Sequence, residues 1–265
     1  MTDLTPTLTG VASTFLAYTA GHALVDRVWQ VAAPARYASL SRRDRIYLAE
    51  KVSSSVNAVV VSALGAATIF GRRGEYSNDL MHAYPLSAHH AFVHLCGYTI
   101  YDLGTMWMQG GDHWSMWVHH IMSAYGTSLI MYYKNPSFFP LLFGVSEITA
   151  LANNVVWYLQ TLRPSSRSLP YVLMGRAIMF TVARVWIGPY ALMRMLAHAE
   201  WSPRKLVAQW FEDPDMSRVA SVLTLVNVLT IAYFNVGWTI AVWKLAIRGW
   251  NKSSKVSSTA EKRHQ

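Results

Sequence analysis

The sequence predicts an all-α, polytopic membrane protein with about seven transmembrane helices, and three observations predict it. Of the 265 residues, 52% are hydrophobic and only 14% are Asp, Glu, Lys or Arg, about half the charge fraction usual in soluble domains. The few charges are gathered between long stretches that have none. The basic residues, finally, collect on alternate connections, as they do in a chain that crosses a bilayer repeatedly.

A hydrocarbon core about 30 Å thick needs about 20 residues at about 1.5 Å of helical rise each. The charge-free runs Leu4–Val25 (22 residues), Val52–Gly71 (20), Leu80–Tyr101 (22), His113–Tyr133 (21) and Val219–Trp243 (25) meet that length. Two further runs complete the seven: Asn135–Leu162, broken only by Glu147, and Ser168–Met193, broken only by Arg176 and Arg184. Ahead of the first run stands Asp3 and no basic residue, so it reads as a retained span and not as a cleaved leader. The stretch His198–Met216, punctuated by Trp and Pro, is expected to lie along the lumenal surface.

Thirteen Lys and Arg fall on one set of connections: Arg27, Arg36, Arg42, Arg43 and Arg45 after the first span, Arg163 and Arg167 after the fifth, and six from Lys244 to Arg263. Five fall on the other set, namely Arg72, Arg73, Lys134, Arg204 and Lys205, diluted there by six acidic residues. The N-terminus is therefore expected to be lumenal or extracellular and the C-terminus cytosolic. The +9 net charge has its source in this topology, and no nucleic-acid partner is expected. The single cysteine, Cys96, excludes an intramolecular disulfide framework.

Polar residues inside spans are costly and need a partner or a cavity. Depth arithmetic sorts them into two layers. Asp102 and His120 lie six residues on either side of the turn between spans three and four, about 9 Å from the cytosolic boundary by helical rise. Asn154, Arg176 and Asn235 reach a similar depth. A second layer nearer the midplane holds Tyr98, Glu147, Arg184 and Asn227. If the helices surround a common centre, these layers line a cavity open towards the cytosol. His90, His94, Tyr98 and Asp102 are spaced four apart, which makes one polar stripe along span three. His119 and His120 are adjacent and point about 100° apart. A His level with an Asp on the neighbouring antiparallel helix is the pairing that orients an imidazole as base or nucleophile. No metal site is expected: there is no His-x-x-His-His element, and His90 lies near the face opposite His119.

The segment Gly97–Tyr158, "GYTIYDLGTMWM…DHWSMWVHHIMSAYGTSLIMYY…FPLLFGVSEITALANNVVWYL", resembles the TLC-domain family, which includes ceramide synthases and a group of small TLC-domain-containing lipid-homeostasis proteins. The resemblance extends to "FTVARVWIGP", with Arg184 and Pro189, and to "NVGW", with Asn235 and Trp238. It implies six helices around a lipid-accommodating cavity over about 46–245 and one additional N-terminal helix, with its basic loop, over 1–45; composition adds a basic disordered cytosolic tail over 246–265. It further implies an endoplasmic reticulum membrane. In ceramide synthases the His pair and two downstream Asp residues serve acyl transfer from acyl-CoA to a sphingoid amine. The corresponding residues are His119, His120 and Glu147. Where those enzymes read His-Asp-x-x-Asp, this chain reads Ser146-Glu147-Ile148-Thr149-Ala150. The second carboxylate is thus absent, which argues against ceramide synthesis in particular, and Asp102 is the replacement acid.

Two functions follow as expectations. One is an acyl-CoA-dependent acyltransferase acting on a lipid amine or hydroxyl. There His119, His120, Asp102 and Glu147 would be catalytic, Tyr98, Asn154, Arg176, Arg184 and Asn235 would bind substrate, and acyl-CoA would be co-substrate with no resident cofactor. The other is a non-catalytic regulator or sensor of membrane phospholipid composition, in which the same layers hold a lipid headgroup. Membrane lipids are partners on both readings, and oligomerisation is open. A transporter gains little support, since neither an inverted repeat nor a broken-helix pair is visible in the sequence.

Overall fold

A computed structural model describes residues 4–134, 136–211 and 216–262, the last ten of these without their side chains. All regular structure among them is helical. The order is α1 (Thr5–Ala32), α2 (Pro34–Ser39), α3 (Arg42–Gly71), α4 (Arg73–Asn78), α5 (Leu86–Met108), α6 (Trp114–Tyr133), α7 (Phe138–Ser146), α8 (Thr149–Leu162), α9 (Leu169–Phe180), a π-helical turn at Thr181–Val185, α10 (Ile187–His198), α11 (Pro203–Phe211) and α12 (Arg218–Lys262). By length and composition five bodies can cross a membrane: α1, α3, α7–α8, α9–α10 and α12. The other two expected spans, α5 and α6, have 23 and 20 residues, so length suffices. Histidines, tyrosines and Asp102 lower their hydropathy, and these are the helices that carry the predicted polar centre.

Six spans, namely α3, α5, α6, α7–α8, α9–α10 and α12, contribute residues to one central cavity. Helix α1 stands outside this ring, with Tyr18 its only buried residue. It is pressed onto α5 where glycine permits: a Cβ at Gly97 would lie 2.6 Å from the Val11 carbonyl oxygen, and one at Gly10 would lie 2.7 Å from Val93 Cγ1. Helix α3 starts at a capped position, where Ser41 Oγ accepts from the Asp44 amide at 3.1 Å. Helices α5 and α6 form a hairpin whose turn uses Gly110 and Gly111 at φ of 84° and 97°, a conformation that side chains disfavour.

Two spans depart from a plain α-helix. In the fifth span the chain tightens at Glu147–Ile148, where amides bond three residues back: Glu147 to Gly144 (3.1 Å), Ile148 to Val145 (3.3 Å) and Ala150 to Glu147 (2.9 Å). Hydroxyls drive this. Ser146 Oγ donates to the Phe143 carbonyl at 2.6 Å, Thr149 Oγ1 to the Ser146 carbonyl at 2.9 Å, and Ser62 Oγ to the Val145 carbonyl at 3.0 Å, in competition with the helical ladder. In the sixth span the Trp186 amide reaches five residues back to the Thr181 carbonyl (3.1 Å), which widens one turn. Such turns recur at functional sites.

The surface stretch after α10 contains α11, anchored by Trp210, whose indole N–H donates to the Ser221 carbonyl at 3.1 Å. Helix α12 continues past the span to Lys262, over the stretch for which the sequence reading expects a tail. Packing explains its start: Ala246 is fully buried, the Tyr171 and Trp250 rings meet edge to face at 5.6 Å, and a Cβ at Gly249 would lie 2.8 Å from Leu173. Residues 263–265 lie outside the described residues.

Candidate functional site

The cavity has two lobes. A larger one, about 290 Å³, lies towards the α5–α6 hairpin and is lined by Tyr47, Glu50, Lys51, Asp102, Gln109, Asp112, Ala150, Asn154 and Trp238 among others. A deeper one, about 70 Å³, is lined by Asn57, Thr99, Ser123, Thr127, Ser146, Asn227 and Asn235 among others. Tyr98, His119, His120, Glu147 and Arg184 line both and so form the septum.

The antiparallel α5–α6 hairpin sets Asp102 against His120, as equal distance from the turn predicts. Asp102 Oδ2 lies 3.2 Å from His120 Nε2, and both residues are more than nine-tenths buried. Asp102 Oδ1 also accepts from Thr105 Oγ1 at 3.0 Å, which limits rotation of the carboxylate. The His119 ring stands edge to face with His120 at 5.2 Å and with Trp238 at 5.0 Å. The Trp238 indole donates to Ser115 Oγ at 3.4 Å and stacks on Phe234. His119 is thereby clamped between its neighbour and α12, while His120 meets an acid.

Arg184, carried by the π turn, binds three elements. Its Nε donates to Thr149 Oγ1 (2.6 Å), one terminal nitrogen to Asn235 Oδ1 (3.0 Å) and the other to Glu147 Oε1 (3.1 Å). The guanidinium also lies over the Phe180 ring at 5.2 Å. The widened turn and the tightened step in the fifth span thus deliver opposite charges to one another. A buried pair of this kind carries a large desolvation cost, offset only when hydrogen bonds satisfy the remaining groups.

The other sequence-predicted residues divide. Tyr98 and Asn235 line the cavity as expected. Asn154 lines the hairpin lobe, but its amide nitrogen is engaged by α3, donating to the Lys51 carbonyl (3.1 Å) and to Ser55 Oγ (3.0 Å). Arg176 does not line either lobe. It is buried on α9 beside Leu173 and Ala177, which pack on α12. The polar stripe expected on α5 is also divided. His94 turns outward and pairs with Tyr18 of α1 (3.1 Å), whereas Tyr98 and Asp102 turn inward.

Several lining residues escaped the sequence reading. Glu50 is buried and paired with Lys51 Nζ at 2.7 Å. Lys51 in turn lies over the Tyr47 ring at 4.8 Å, and Tyr47 donates to Asp112 Oδ2 at 2.8 Å. The charge-free run of the second span begins at Val52, just after this pair. Asn57 lies inside the same run, as an uncharged polar residue. Among the described residues no group of three or more His, Cys, Asp or Glu side chains converges as a metal-binding set.

No curated protein and no solved structure matches the chain significantly. A family model described as TLC domain matches residues 48–244, from the turn of α3 that carries Glu50 and Lys51 to the stretch of α12 beyond Trp238, and so takes in every lining residue named above but Tyr47. Apolar spans, a six-helix ring around a polar-centred cavity and this match, which covers most of the chain, agree: the protein is an integral membrane protein and belongs to the lipid-related TLC-domain family.

Proposed function

We propose that the cavity is an acyl-transfer site, with acyl-CoA as donor and a lipid amine or hydroxyl as acceptor. The observation that carries this reading is the approach of Asp102 to His120 at 3.2 Å within a cavity that six helices line. With Nε2 facing the carboxylate, Nδ1 is left to exchange a proton. The acceptor gives its proton to His120 as its lone pair forms the new bond to the thioester carbonyl carbon. The carbon–sulfur bond then breaks, and the leaving thiolate takes the proton back from the imidazolium. Asp102 stabilises the imidazolium in between. Asn154 and Arg176 are poor oxyanion partners, the first being engaged by α3 and the second lying outside the cavity.

The reading carries an endoplasmic reticulum location, with the hairpin lobe and the C-terminus facing the cytosol, where acyl-CoA is present. Glycosylation at the sequon Asn251-Lys252-Ser253 would contradict that orientation. The test of the activity is incubation of the purified protein with oleoyl-CoA and a membrane lipid extract, with products read by mass spectrometry. His120→Ala is expected to abolish product while the protein stays folded. Full activity in both His119→Ala and His120→Ala would overturn the mechanism.

One observation favours the second reading, a non-catalytic lipid-binding regulator of phospholipid composition: Glu147 is tied to Arg184 and position 150 is alanine, so the fifth span offers no free carboxylate. Intact phospholipid bound by the purified protein, with no turnover of acyl-CoA, would decide for it.

A further inference from the structure

The two lobes differ in their electrostatics. In the hairpin lobe Glu50, Asp102, Asp112 and Glu147 face Lys51 and Arg184. In the deep lobe the only charged residues among those described are Glu147 and Arg184, which are paired with each other. A charged headgroup entering the deep lobe would find no counter-ion.

The deep lobe has instead a set of neutral groups without partners. Among the described residues, Asn57 Oδ1, Asn235 Nδ2 and His119 Nδ1 are buried and make no hydrogen bond, and all three residues line this lobe. They are 2%, 1% and 8% exposed, and they come from α3, α12 and α6. Buried polar groups are satisfied in the great majority of cases, so an acceptor, a donor and an imidazole nitrogen left unpartnered on residues that line one space point to a polar occupant. A lipid hydroxyl both donates and accepts without charge. The space, about 70 Å³, is matched to a small polar group, since one water-sized occupant needs about 10–15 Å³ by this measure. Tyr98, His119 and His120 line it as well as the hairpin lobe, so a ligand that fills it lies beside the Asp102–His120 pair.

We propose that the deep lobe is a subsite for a neutral hydroxyl group of a lipid, with the Asn235 amide donating to it and the Asn57 amide oxygen accepting from it. The proposal rests on the reading of the cavity as a lipid site and adds the class of polar group that this site selects. It holds for a substrate and for a regulatory lipid alike. Asn57 is the better probe of the two, because the Asn235 side chain also serves Arg184 whereas the Asn57 amide oxygen serves nothing else among the described residues.

The test measures binding of 1-oleoylglycerol, which has two free hydroxyls, and of methyl oleate, which has none, to the full chain in mild detergent. The wild-type protein is expected to bind oleoylglycerol at least tenfold more tightly. Asn57→Leu is expected to remove that preference, with Asn57→Ala as the companion variant should leucine not be accommodated. Equal binding of the two lipids by the wild type would show that the lobe holds water only and would overturn the proposal while leaving the lipid-site reading intact. A preference unchanged in both Asn57 variants would overturn it as well. No binding of either lipid would overturn the lipid-site reading itself.

Discussion

The two faces of α5 carry the same kinds of residue and end in different states. Towards α1, His94 meets the Tyr18 hydroxyl at 3.1 Å, Tyr101 meets His22 Nδ1 at 2.8 Å and His89 meets Thr7 Oγ1 at 3.2 Å. Each of these groups finds a hydrogen-bond partner on α1, and His89 Nδ1 also meets the Tyr84 hydroxyl at 3.0 Å. Towards the ring, Tyr98 and Asp102 face a space that five other spans also line, and unpartnered atoms remain beside them. Histidine and tyrosine on a membrane helix therefore do not by themselves mark a site. What distinguishes a seam from a site is whether the opposing residues use up the hydrogen-bonding capacity.

That contrast can be broken by substitution. The largest effect is expected at His120, where alanine should lower acyl transfer by about two to four orders of magnitude, the usual weight of a general base, with little change in thermal unfolding. Next is Arg184→Met, which strands the Glu147 carboxylate and the groups facing it. Removing one partner of a buried pair costs about 3–5 kcal/mol, so the detergent-solubilised protein should melt at a clearly lower temperature. Combining it with Glu147→Gln should recover part of the loss. A smaller effect is expected at Gly97→Leu, where overpacking against Val11 and Thr14 costs about 1–3 kcal/mol. It should loosen α1, seen as faster proteolysis of the N-terminal helix, while the His120-dependent chemistry persists. The smallest is Tyr18→Phe, which removes one seam hydrogen bond worth about 0.5–1.5 kcal/mol and should leave transfer unchanged. A Tyr18→Phe protein that lost transfer would erase the distinction between the two faces.

Much of this arrangement was legible in the residues. Charge-free runs located the spans, and equal counting from the hairpin turn paired Asp102 with His120, because an antiparallel helix pair converts sequence distance from the turn into depth. The same arithmetic placed Glu147 with Arg184 in one layer. It misjudged Arg176, whose depth was inferred but whose direction around α9 no count of residues reveals. His94 follows from the same geometry: a spacing of four keeps residues on a slowly rotating face, and over three steps that rotation carries the stripe from one neighbour to another. Glu50 and Lys51 were hidden because a charge was taken to end a span, whereas here two adjacent opposite charges neutralise each other inside it. The interruption at Glu147 depended on hydroxyls that bond local carbonyls, and nothing in hydropathy reports that.

The π turn at Thr181–Val185 gives the sixth span one residue more than an α-helix of the same length would hold. Every position beyond it is consequently offset by about 100° around the axis. In the language of insertions and deletions, loss of one residue from this turn, for instance the outward-facing Val182, is a switch of register: it would restore an ordinary helix and swing one half of the span against the other. Arg184 could not then keep both its carboxylate and its amide partner. A single-residue deletion here should therefore be far more damaging than any substitution at the same exposed position, and the length of this span is constrained as tightly as its composition.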